Sequence, residues 1–169
     1  MWIDTLLSSL EDTPLATAVR ENSVLFPALE CTHVLALTAV VGSIAMLDLR
    51  LLGWVQRSRP TSQVVAEVLP RVWLAFGVAA ITGVLLFSSN ARSYAHNNYF
   101  LAKLVFLAIL GVNMGLFHRG VGRKIGDWDT ALRPPTGART AGVISLTLWI
   151  AVTLCGRFVG FTRVTLPPP

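Results

Sequence analysis

The sequence predicts an all-α integral membrane protein, a four-helix bundle that carries short N-terminal interfacial amphipathic helices. Three observations predict it. Apolar residues make up 53% of the 169 and charged residues only 14%, too little polar surface to cover a soluble globule. Mean hydropathy is +0.61. The apolar residues gather into stretches near 24–47, 69–89, 98–118 and 140–161, each long enough at about 1.5 Å per residue to cross roughly 30 Å of hydrocarbon.

Each element has its own local signal. Residues 1–22 form an interfacial amphipathic segment, because Trp2, Ile3, Leu6, Leu7 and Leu10 recur at helical spacing. Thr13 then caps a second short helix that Pro14 begins. This segment holds Asp4, Glu11, Asp12 and Glu21 with no basic run before it, so it does not read as a cleavable signal peptide. Residues 23–169 form the four-span domain. Its first helix continues to about residue 55, Pro60 and Ser62 break the loop that follows, and Ser88 to Asn98 make a polar turn. Pro134, Pro135 and Gly137 break the third loop.

Charge orients these spans. The loop from Asp48 to Arg71 holds Arg50, Arg57, Arg59 and Arg71, and the loop after His118 holds Arg119, Arg123, Lys124, Arg133 and Arg139. Arg20, Arg92 and Arg163 lie on the other side. The positive-inside rule makes the two basic loops cytoplasmic and both termini periplasmic, in a bacterial cytoplasmic (inner) membrane. The formal charge of +5 is therefore a topology signal. No basic run with interleaved aromatics points to nucleic acid.

Ionisable groups at membrane depth are costly and mark function. Glu30 and His33 sit one turn apart in the first span, with Lys103 in the third and Arg157 in the fourth. Counted from the span ends, His33, Lys103 and Arg157 all lie on the order of 9 Å below the outer boundary. Glu30, His33, Lys103 and Arg157 are thus candidates for one ligand- or cofactor-binding layer in the outer leaflet. At the other end Asp48, Arg50, Arg71 and Asn113 form a structural polar layer of interfacial anchors. Asp48 follows Glu30 by five whole turns of about 3.6 residues, so both carboxylates share an azimuth. The face between them is apolar at Leu37, Val41 and Ile44, which argues against a wire of titratable groups.

Several chemistries compete for this layer. His33 suits the axial position of a b-type haem; His118 lies across the membrane from it and His96 in the outer turn, so neither matches it in depth. Copper or another transition metal at His33 with Cys31, Cys155, Glu30 or Met1 is a further reading. Hydrolase motifs are absent: there is no G-x-S-x-G, H-E-x-x-H or Walker A pattern. Four helices with one Pro27 supply little of the broken-helix pattern of a transporter. Gly111 and Gly115 make one G-x-x-x-G spacing suited to close helix approach, which leaves room for a homo-oligomer or a larger membrane complex.

Glu30 to His33 as E-x-x-H, Leu47-Asp48-Leu49-Arg50-Leu51-Leu52-Gly53, Thr82-Gly83, Asn98, Phe100, Lys103 and Asn113 follow one another in an order that resembles a bacterial family of uncharacterised four-helix inner-membrane proteins. That family is remotely similar to the membrane part of copper-resistance D proteins. The resemblance implies a bundle in the cytoplasmic membrane with an outer polar site on Glu30, His33 and Lys103. The expectation is an outer-leaflet pocket that binds a small ligand, quinone or cofactor, in the service of a periplasmic redox or metal-linked partner protein. A b-type cytochrome and a structural or assembly subunit are the alternatives.

Overall fold

A computed structural model describes residues 2–55, 58–131 and 133–162, so Met1, Arg57 and Arg163 lie outside the described residues. Among these residues every regular element is helical. Helices α1 (Trp2–Glu11) and α2 (Pro14–Glu21) are followed by α3 (Leu25–Leu51), α4 (Thr61–Ser89), α5 (Ala91–Ala95) and α6 (Asn98–Arg119). After a 3₁₀ turn at Val121–Lys124 come α7 (Ile125–Trp128) and α8 (Thr136–Phe161). Helices α3, α4, α6 and α8 are long and apolar enough to cross a membrane, and the chain is a multi-pass membrane protein. Leu35, Leu74, Ile81 and Leu116 are exposed on their outer faces, as a lipid solvent permits.

The helix ends follow local chemistry. Thr13 accepts a hydrogen bond from the Ala16 amide at 3.3 Å, and Pro14 opens α2, both as the sequence predicts. Helix α3 stops short of the expected residue 55. Gly53 adopts a left-handed φ of 76°, the Trp54 amide donates to Leu49 O at 3.0 Å and the Gly53 amide to Arg50 O at 2.9 Å. This double bond pattern closes a helix and favours glycine at that position. Helix α4 begins at Thr61, two turns before the expected 69, and runs through Pro70.

Asp129 explains the early start of α4. Its carboxylate accepts from the Ser62 amide and the Ser62 hydroxyl, each at 2.6 Å, and its carbonyl accepts from the Thr61 amide at 3.0 Å. These bonds satisfy amides that a free helix start leaves unpaired. The Ser62 hydroxyl first, and then the Ser62 amide, hold the Asp129 carboxyl below its ordinary value of 3.8.

The spans pack in the order α4, α3, α8, α6, with α3 against both α4 and α8 and α6 chiefly against α8. Helices α4 and α6 stay apart along most of their length, so the ring of four is open on that side. Val40, Val72, Leu110, Trp149 and Val152 fill the middle. Lipid gives little hydrophobic drive to helix association, so close packing and interhelical hydrogen bonds hold such a bundle. Asn97 caps α6 through Tyr99 and Phe100 amides, and its amide group donates to Thr162 O at 2.9 Å beyond α8. Asn113 of α6 donates to Ala141 O of α8 at 3.1 Å.

Helices α1, α2 and α5 gather at the end of the bundle where α3 begins and α8 finishes, here termed the terminal face. The opposite end, with the α3–α4 turn and α7, is the loop face. Val19 and Ala16 of α2 are buried, whereas α1 buries none of its residues and leaves Trp2 73% exposed. Glu11 fastens α1 to α5, accepting from the Arg92 amide at 2.8 Å and from Arg92 Nε at 3.2 Å.

Substitution of Asp129 by Ala should lower stability in detergent by about 1–2 kcal/mol, the usual scale for a lost helix cap. Thermal unfolding and faster amide exchange over residues 61–66 would report it. Because the folded pKa is depressed, this contribution is present above the ordinary value of 3.8 and is lost as pH falls through the lower folded value. The Ala variant and the parent protein should therefore converge in stability under strong acid.

Candidate functional site

The inward stripe of α3 at the terminal end runs Leu29, His33, Ala36 and Val40, as 3.6 residues per turn requires. His33 therefore faces α4, where Thr82 meets it: His33 Nδ1 and Thr82 Oγ1 are 3.0 Å apart. The Thr82 hydroxyl also lies 2.7 Å from Val78 O and 3.2 Å from Ala79 O, and the His33 ring bonds the backbone of Ala79 as well. One turn of α4 thus holds the imidazole in place.

Gly83 makes room for this ring. A Cβ at that position would lie 3.0 Å from His33 Cε1. A mid-helix glycine costs about 1 kcal/mol relative to alanine, and here the space it leaves seats the imidazole. Lys103 approaches from α6, close enough for its ammonium to interact electrostatically with the ring. Its Nζ lies 4.8 Å from the centroid of Phe100, which stacks on Phe87 at 5.4 Å and neighbours Tyr94 at 5.5 Å. Its Cδ passes 4.0 Å from the point where a side chain on Gly156 would begin, and Cys155 lies beside the ammonium.

The structure thus brings His33 and Lys103 together and leaves the other two members of the expected layer outside. Glu30 is exposed and forms neither an ion pair nor a hydrogen bond among the described residues. It follows Leu29 by about 100° of helix rotation, which carries it off the inward stripe. Arg157 is exposed as well, its guanidinium 5.0 Å from the centroid of Phe161. Cys31 is exposed, Cys155 is half-buried, and both are free thiols.

The other histidines are committed elsewhere. His96 Nδ1 lies 2.9 Å from Arg92 O and its Nε2 3.5 Å from Asp4. His118 Nδ1 donates to Met114 O at 2.9 Å near the loop face. Among the described residues no three of His, Cys, Asp and Glu gather closely enough to hold a metal ion.

At the loop face Asp48 is 4% exposed and Arg50 fully buried. Arg50 Nη2 donates to Arg59 O at 3.0 Å, while Arg71 is exposed and takes no part. Asp48 and Glu30 share an azimuth by count, yet only Asp48 is buried, because α8 closes over it: a Cβ on Gly142 would lie 3.1 Å from Asp48 O. The sequence reading missed Thr82 and Asp129 as partners. Neither carries a local signal, since each acts on a residue distant in the chain.

The family model that matches this chain covers residues 23–162, from just before α3 to just past α8. The chain belongs to DUF6644, a family of unknown function. The matched unit includes His33, Thr82, Gly83 and Lys103, and α1 and α2 fall outside it. No curated protein and no solved structure matches the chain.

Two substitutions should separate the parts of this arrangement. Thr82→Val removes the hydroxyl bonded to Nδ1 and should cost about 1 kcal/mol, the scale of an interhelical hydrogen bond in a membrane. The balance of His33 tautomers should then change by ¹⁵N NMR. Gly83→Ala should displace the ring by a few tenths of an ångström and shift the same resonances while that balance is kept.

Proposed function

We propose that this chain binds a small lipid-soluble ligand of the quinone class at the His33 and Lys103 site, in the bacterial cytoplasmic membrane with both termini periplasmic. The observation that carries the reading is the His33 imidazole, held against α4 by Thr82, beside the Lys103 ammonium. An imidazole can accept from a quinol hydroxyl or donate to a quinone carbonyl, and the ammonium offers a second donor. The aromatic group of Phe87, Tyr94 and Phe100 adds flat apolar surface next to the ammonium.

Charge supports this ligand class over a cation. An ammonium within electrostatic range of the imidazole repels a metal ion and attracts a carbonyl or an anion. The distribution of basic residues supports the topology, which puts the site in the outer leaflet, within reach of a periplasmic redox partner. The exposed apolar stripe of α1, with Trp2, Ile3 and Leu6, supports its lying in the membrane interface.

A second reading is favoured by the same His33–Thr82 bond, since an imidazole oriented by a hydrogen bond to one ring nitrogen can serve as an axial haem ligand through the other. A Soret band and a pyridine haemochrome on purified protein would carry that reading, and their absence would remove it. The quinone reading is tested by titrating a short-chain benzoquinone into the protein in nanodiscs. His33→Ala and Lys103→Met should each weaken binding by about tenfold or more, with helicity and membrane insertion unchanged by circular dichroism. Equal affinity in all three proteins would overturn the site.

A further inference from the structure

We infer that the loop-face end of the α6–α8 pair binds the phosphate head of an anionic phospholipid from the adjoining leaflet, at a site independent of His33. A groove of about 400 Å³ lies between the last turns of α6 and the first turns of α8. Its lining is apolar at Leu116, Phe117, Val121 and Ile144, with the hydroxyl-bearing Thr136 and Thr140 where α8 begins. Both helices are long and apolar enough to cross the membrane, so a groove at their ends opens at the depth where acyl chains give way to head groups. Leu116 and Ile144 are exposed there, as contact with an acyl chain permits.

Charge identifies the occupant. Arg119 ends α6, Arg123 and Lys124 lie in the 3₁₀ turn that follows, and Arg133 and Arg139 flank the start of α8. All are exposed, and no side chain among them makes an ion pair or hydrogen bond among the described residues. The acids of that end are engaged elsewhere: Glu67 pairs with Arg59, Asp129 bonds to Ser62, and Asp48 is buried. Asp127 is exposed in α7 and offsets a single charge.

A surplus of unpaired cations beside a groove between spanning helices is the arrangement that recognises anionic lipid heads, each cation near such a surface strengthening binding about fivefold. A phosphodiester accepts several N–H donors at once, which guanidinium groups present in a fixed fork. A zwitterionic lipid brings its own ammonium and leaves the surplus uncompensated. Snorkelling side chains alone would show no preferred lipid. The groove gives one molecule a seat, and its apolar lining at bilayer level favours a lipid over a soluble acidic segment.

The test is native mass spectrometry of the full chain, delipidated in a neutral detergent and titrated with phosphatidylglycerol or with phosphatidylcholine of the same acyl chains. Phosphatidylglycerol should fill one site to saturation and bind at least tenfold more tightly than phosphatidylcholine. Arg123→Gln combined with Lys124→Gln should weaken it about twentyfold or more. Ile144→Trp, which fills the groove and leaves the charge unchanged, should weaken it at least tenfold, whereas Arg71→Gln, outside the groove, should not. Helicity by circular dichroism should be the same in all these proteins. Equal binding of the two lipids, failure to saturate, or full affinity in either the Arg123 and Lys124 double variant or Ile144→Trp would overturn the site. Displacement of the lipid by equimolar glycerol phosphate, or tighter binding of an oligoglutamate peptide, would assign the cations to a soluble anion or an acidic protein and overturn the lipid assignment.

Discussion

Lipid cannot hydrogen-bond, and every polar group in this bundle answers to that constraint. The backbone answers by forming helices long enough to cross, whose amides and carbonyls pair within each segment. The side chains answer in pairs across helices: His33 with Thr82, Asn97 with Thr162, and Asn113 with Ala141 O. Where a partner is absent among the described residues, as at Asp48 Oδ2 and Arg50 Nε and Nη1, packing shuts the atom in. The polar ties and the enclosed groups are thus two outcomes of one physical demand.

The four spans were legible because hydropathy over some twenty residues outweighs local detail. Their ends were less so, and each discrepancy has a cause. Gly53 closes α3 by a turn visible in the sequence as a glycine after an apolar run. The start of α4 was hidden, because Asp129, sixty-seven residues away, supplies the bonds that make Thr61 and Ser62 helical. Pro70 lies inside α4, and packing of α4 against α3 carries the helix through it.

The polar layers show the limit of counting depth. Rise per residue put Glu30, His33, Lys103 and Arg157 at similar heights, but height is one coordinate of three. Azimuth removes Glu30 from the interior, and Arg157 turns outward onto Phe161. His33 remains because it lies on the same stripe as Ala36 and Val40, which the core buries. At the loop face, Asp48 and Arg50 read as ordinary interfacial anchors, and only the packing of α8 and the gap beside α6 reveal that they are enclosed and unsatisfied.

The central packing of Val40, Val72, Leu110, Trp149 and Val152 has an electrical consequence. A dry apolar septum is where a transmembrane voltage falls most steeply, because no mobile ions or dipoles relax it. The imidazole and ammonium at one end and the carboxylate and guanidinium at the other therefore sit at nearly opposite electrodes of the same field. Among the described residues no ladder of protonatable groups crosses between them, so side chains alone offer a proton no path from one end to the other.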